Sequence, residues 1–149
     1  MSYFLRVFCK SDEPIRRSEI TQFVQDGVFF EQTPTFHSEE SSESKWQRLA
    51  IRFDPAKRPI IVHAGDERLV KAEIAELAAD LRSRVAGTRQ VVAFEILRES
   101  LTDEAWEMLD SLQAHIAKIR NGFVYAPDEG LYDADLQPLD ADLQPQNGE

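Results

Sequence analysis

Residues 3–9, YFLRVFC, alternate along the chain, with Tyr3, Leu5, Val7 and Cys9 on one face and Phe4, Arg6 and Phe8 on the other. A period of two predicts a strand, and the aromatic second set predicts partial cover on its other face. In SDEPIRRSEITQFVQDG the spacing becomes helical: Ile20, Phe23 and Val24 form the stripe, Ser18 is placed to cap, and Gly27 to supply a left-handed end. VFFEQ at 28–32 reads as a second strand, and the Ser- and Glu-rich TPTFHSEESSES after it as a flexible, exposed loop.

Alternation returns at 46–53, where Leu49, Ile51 and Phe53 oppose Arg48 and Arg52. The turn residues of DPAKRP and the apolar IIVHA then complete a hairpin. GDERLVKAEIAELAADLRSRVAG carries the clearest helical stripe, Val70, Ile74, Leu77 and Leu81, with Asp66 as cap and Gly87 as stop. QVVAFEIL at 90–97 is a buried strand. Thr102 then caps a second long helix whose stripe is Ala105, Leu109, Leu112, Ile116 and Ile119, and whose basic end runs into Asn121 and Gly122. FVYAPDEGLYD closes the pattern as two short strands around a turn at 127–130.

The elements therefore run strand, helix, three strands, helix, strand, helix, hairpin. This order predicts an α+β fold: a ferredoxin-like sandwich with an antiparallel or mixed sheet, helices on one face, and a C-terminal helix-hairpin extension. Residues 1–133 would form a single domain and 134–149 an acidic, flexible tail.

Composition narrows the class. The chain has 149 residues, 42% hydrophobic and 30% charged, which suits one domain with a sizeable core. No apolar run approaches the ~18 residues of a membrane-spanning helix, and the polar N-terminus is unlike a signal peptide, so a cytoplasmic location is expected. The single Cys9 forms no internal disulfide and sits in an apolar stretch, where a buried, inert thiol is the plain expectation. The net charge of −10 is uneven: residues 128–149 hold seven acids and no base, whereas the first 127 residues hold 20 acids against 17 bases. That balance disfavours binding to nucleic acid and favours a basic protein partner.

Few residues look like chemistry. DADLQP occurs twice, at 133–138 and 140–145, but a calcium loop of the EF-hand type needs a glycine at its sixth position and a glutamate at its twelfth. Pro138 or Pro145 occupies the sixth position, so the repeat reads as a solvated, proline-punctuated arm and no metal site is expected. His37, His63 and His115 share no metal-ligand spacing, and no glycine-rich phosphate loop or serine-nucleophile motif occurs, so no cofactor is expected. The best small cluster is HAGDE, in which His63, Asp66 and Glu67 stand where a strand end meets a helix start. The plainer role of each is to end the strand, cap the helix and complement its dipole. Phe123 and Tyr125 in RNGFVYAP have the spacing of a base-stacking strand, but the glycine pattern is missing and acids follow.

NGFVYAPDEGLYDAD, residues 121–135, resembles the C-terminal hairpin of small bacterial proteins of uncharacterised function, some polymorphic-toxin immunity proteins among them. The match lies in Gly122, Val124, Tyr125, Pro127, Gly130, Tyr132 and Asp133, with Ala126 where an aspartate is common. The resemblance implies a bacterial cytosolic accessory protein. With the charge pattern, it leads to the expectation of a non-enzymatic binding protein, in its sharpest form an immunity-like inhibitor of a basic partner. Glu39, Glu40, Glu43, Asp128, Glu129, Asp133 and Asp135 would steer the partner, and Trp46, Tyr125 and Tyr132 would anchor it. The alternatives are a self-associating homo-oligomeric subunit, or a small enzyme or ligand-binding domain built on His63, Asp66 and Glu67 with Cys9.

Overall fold

The computed structural model describes residues 3–65, 67–127 and 129–139, with the backbone alone at Glu67. Seven strands form one sheet: β1 (Tyr3–Cys9), β2 (Thr35–His37), β3 (Arg48–Arg52), β4 (Ile60–Gly65), β5 (Gln90–Ile96), β6 (Gly122–Ala126) and β7 (Gly130–Tyr132). Four helices complete the α+β domain: α1 (Arg17–Asp26), α2 (Glu67–Ala75), α3 (Ala79–Arg84) and α4 (Asp103–Arg120). The sheet order is β2-β3-β4-β5-β1-β6-β7, and every described pairing is antiparallel. The four-strand ferredoxin-like order expected is not reproduced: the sheet is larger, and the β3–β4 hairpin joins it through β5 instead of lying beside β1.

One face carries the main core. Leu5, Val7 and Cys9 of β1, Val92, Phe94 and Ile96 of β5, and Leu49, Ile51, Ile60 and Val62 of the β3–β4 hairpin point to α1 and α4. The α4 stripe answers with Met108, Leu109, Leu112 and Ile116, each essentially inaccessible. Burying each such side chain contributes about 1.5–3 kcal/mol, which makes this layer the chief stabiliser of the fold. Thr102 caps α4 as expected, accepting from the Ala105 N–H at 3.2 Å. Asn121 takes the left-handed position at its end, φ 53°.

The helices do not all lie on that face. Val70, Leu77 and Val85, from α2, α3 and the residues beside them, pack with Phe8 and Val91 on the opposite side of the sheet. Central strands β1 and β5 are apolar on both faces, so one helical layer would leave Phe8 and Val91 in water. The single long helix expected at 66–87 is broken as well. The Glu76 and Leu77 N–H groups bond back three residues, to Glu73 and Ile74, which turns the axis and brings buried Leu77 onto the cluster.

Three local expectations change between β1 and β3. Arg16, not Ser18, stands at the N-cap of α1, and the Ser18 N–H is taken by the Glu43 carboxylate at 2.8 Å. Gly27 is right-handed, φ −74°, and Val28 takes the left-handed turn, φ 49°. Residues 28–32 therefore form a turn and not a strand, with Phe29 against Phe23 and Phe30 stacked on Phe53. The strand comes later, at Thr35–His37, inside the stretch expected to be a flexible loop.

The chain also folds back beyond the expected domain end at 133. Asp133 accepts from the Asp135 and Gln137 N–H groups, both at 2.9 Å, and Leu139 donates to the Leu131 carbonyl at 2.8 Å. Leu136 and Leu139 then pack on the two apolar layers. Asp133 thus spends its carboxylate shaping a turn, an Asx arrangement that aspartate readily makes. The second copy of the repeat lies outside the described residues.

Candidate functional site

A groove of about 990 Å³ lies on the second face of the sheet, beside α2. The strand register builds its floor. Ala93 of β5 stands between Arg6 of β1 and His63 of β4, and Glu95 stands between Phe4 and Ile61 in the next row. Side chains two apart on neighbouring strands meet on one face, and His63 Nε2 lies 3.0 Å from Glu95 Oε1. Both are about one-third exposed, so the pair faces the groove. Arg6 is sheltered and stands 2.6 Å from Glu73 of α2, fastening the helix to the sheet. The Arg6 Nε–H does not point along that line, so charge rather than a directed hydrogen bond holds the pair. Lys45, Arg68 and Arg89 on the rim balance Asp12, Glu73 and Glu95, leaving the groove with no dominant sign.

His63 is thus drawn to Glu95, a residue that the sequence reading did not single out. Asp66 and the Glu67 side chain lie outside the described residues. The signal for Glu95 was present: a carboxylate inside QVVAFEI, as Arg6 is a cation inside YFLRVFC, marks a strand position facing something other than core. Cys9 does not join the pair. Its side chain belongs to the opposite, α1–α4 face, is fully buried, and burial pushes its thiol up to about 12. Among the described residues the His63 ring hydrogen-bonds to Glu95 alone. A carboxylate-oriented imidazole can move a proton, provided that a reacting group comes within reach.

The acidic residues expected to steer a partner separate into two groups. Glu39, Glu40 and Glu43 follow edge strand β2, whereas Glu129, Tyr132, Asp133 and Asp135 flank the opposite edge strand β7. Six inter-strand steps of ~4.8 Å put the two edges on the order of 30 Å apart. The first group is largely spent on folding its own loop. The Arg17 guanidinium bonds the Glu40 carbonyl and reaches Glu43 Oε2 at 3.2 Å, and Ser38 donates to Glu40 Oε1 at 2.9 Å. The Ser38 hydroxyl holds the Glu40 carboxyl below its ordinary range, and the Ser18 N–H does the same for Glu43. Glu39 remains exposed. Trp46 is no anchor: it is buried, with Nε1 donating to the Ile15 carbonyl at 3.0 Å.

The second group is brought together. Tyr132 donates to Glu129 Oε1 at 2.8 Å, and Asp135 stands 3.5 Å from Lys118 of α4. Asp110 of α4 joins them without having been singled out from the sequence. It is exposed at the rim, yet the protein packed around it, and then Glu129, raise its carboxyl above the ordinary range. Tyr125 points to the other side of the hairpin, half-buried against Phe8. Asp128 is outside the described residues.

Among the described residues no group of three or more His, Cys, Asp and Glu is placed to hold a metal ion, and no helix is long and apolar enough to cross a membrane. No protein-family model matches this chain, and neither a curated protein nor a solved structure matches it.

Proposed function

We propose that this is a non-enzymatic binding protein of the bacterial cytosol that engages a basic protein partner, an immunity-like inhibitor being its sharpest form. The observation that carries the reading is the grouping of acidic side chains from α4 and the β6–β7 hairpin at one sheet edge, beside the turn at 133–139. Charge on a rigid edge steers a partner without the ordering cost of a free arm. The β2-side acids, engaged within their own loop, play the smaller part. The test is capture of a partner by the full chain at low and at high salt, repeated with Glu129→Gln and Asp135→Asn together. A partner held at low salt and released by salt or by the double variant supports the reading, and no partner under any condition defeats it. A stable homodimer in light scattering would favour the self-associating subunit instead.

The groove on the second face favours another reading, a small-ligand or catalytic site built on His63 and Glu95. It predicts that His63→Ala abolishes binding of whatever compound the purified protein retains from the cell. Unchanged retention would remove it.

A further inference from the structure

On the second face of the sheet the register sets out three rows across β1, β5 and β4. Phe8, Val91 and Gly65 make the first, Arg6, Ala93 and His63 the second, and Phe4, Glu95 and Ile61 the third. The first row is covered, because Phe8 and Val91 pack with Val70, Leu77 and Val85. From the other two, Phe4, Ala93, His63 and Glu95 line the groove. These are the three middle strands of the sheet, where apolar residues are the ordinary occupants, so a histidine and a glutamate facing a cavity there call for a reason.

The pair fixes what the groove offers. An ionised carboxylate only accepts hydrogen bonds, so His63 Nε2, 3.0 Å from Glu95 Oε1, carries the proton that joins them. In the neutral imidazole the lone pair then belongs to Nδ1. The ring makes no other hydrogen bond among the described residues, and Nδ1 is not one of the buried atoms left without a partner, so it is open to the groove that His63 lines. A held acceptor of this kind selects an O–H or N–H donor. Net charge is not selected, because Arg6 offsets Glu73 at 2.6 Å and Arg89 stands 3.8 Å from Asp12 at the rim. Around the pair the surface is apolar: the Phe4 ring centroid lies 6.3 Å from that of His63, and Leu69, Ala72 and Ala93 supply aliphatic wall. Sites for drug-sized ligands span about 300–1,000 Å³, and the groove, at about 990 Å³, has room for such a molecule.

We propose that the groove binds an uncharged small molecule with an apolar body and one hydroxyl or N–H donor, which gives its hydrogen bond to His63 Nδ1. Glu95 is a positioning residue, acting through His63 by holding its tautomer. The inference rests on the ligand-site reading above and names the class of ligand.

The test uses the full chain in neutral buffer and three probes that share one ring system: 2-naphthol, which has the donor, 2-methoxynaphthalene, which lacks it, and the anion 2-naphthoate. Affinities are read from the probes' own fluorescence, and the two ring nitrogens of His63 are resolved by long-range proton–nitrogen NMR correlations. Saturable binding of 2-naphthol is expected, about fivefold or more tighter than that of the methyl ether, with the main shift at Nδ1. His63→Phe keeps a ring without the acceptor and should bring 2-naphthol down to the level of the ether. Ala72 is exposed on α2, so Ala72→Phe fills the groove without entering the core and should abolish the binding. Glu95→Gln should redistribute the His63 proton between the two nitrogens before any probe is added, which a merely structural carboxylate would not do. Equal affinity for 2-naphthol and its ether, no binding of 2-naphthol, tighter binding of 2-naphthoate, or a 2-naphthol affinity unchanged in Ala72→Phe would overturn the proposal. Should 2-naphthoate bind best and be lost in Ala72→Phe, the ligand class is wrong while the ligand-site reading stands. Should no probe bind and His63→Ala still retain whatever compound accompanies the purified protein, both fall.

Discussion

At Val28 a β-branched side chain, 78% exposed, is held at φ 49° with nothing to gain from its own burial. The left-handed region costs an L-residue roughly 1–2 kcal/mol, and asparagine tolerates it far better. Val28→Asn is therefore expected to stabilise the fold by about 1 kcal/mol, seen as a higher urea midpoint at unchanged slope. Arg120 stands at the other extreme. It is 5% exposed, donates to the Glu13 and Pro14 carbonyls at 2.8 and 3.1 Å, and meets Glu19 at 2.6 Å. It ties the stretch before α1 to the end of α4, a role beyond complementing a helix dipole. Arg120→Met removes the donor to the Pro14 carbonyl and the cation beside Glu19, although Gln90 still donates to the Glu13 carbonyl, and should cost about 3 kcal/mol in urea unfolding. Cys9, with its thiol pushed up to about 12, should resist alkylation in the folded protein and react once unfolded.

At the scale of elements, α1 and α4 meet where Phe23 stacks on His115, ring centroids 4.4 Å apart. Burial pushes the His115 pKa down, outweighing Glu19, which raises it, while Arg120 and Lys118 lower it further. The unfolded chain therefore binds the His115 proton more readily than the folded one. This contribution to stability is fully present above the unfolded value of ~6.5 and is lost as the pH falls toward the lower folded value. The melting temperature should drop between neutral and mildly acidic pH, with a shallower drop in His115→Gln, and equal slopes in the two proteins would refute the assignment. The β1–β6 pairing rests on Gly122 for a different reason. A Cβ there would stand 2.7 Å from the Phe8 carbonyl oxygen, a backbone atom that cannot swing aside. Gly122→Ala should destabilise by about 1–3 kcal/mol and lower the hydrogen-exchange protection of β6 in particular.

For the molecule as a whole, the fold-back at 133–139 carries the packed chain past residue 133. A chain stopped at Tyr132 loses the Asp133 turn, the Tyr132–Pro138 bridge and the apolar contacts of Leu136 and Leu139. It should melt lower than a chain stopped at Leu139, and equal melting temperatures would show that the fold-back adds nothing. The comparison also keeps a loss of partner binding in the shorter chain from being mistaken for a loss of charge alone.

Period and local chemistry determined much of this protein directly from its residues. The strands at 3–9, 48–52, 60–65 and 90–96, the capped helix after Thr102 and the hairpin around 127–130 all carry their own spacing and turn residues. So does the buried Cys9. What only the tertiary structure decided depends on contacts between distant segments. Sheet order, the second helical layer and the break between α2 and α3 follow from which apolar faces must be covered at once, a condition that no single window of sequence contains. The sites have the same origin. His63 meets Glu95 through strand register, and Asp110 comes to face Glu129 because α4 packs beside the hairpin, 19 positions away in the chain.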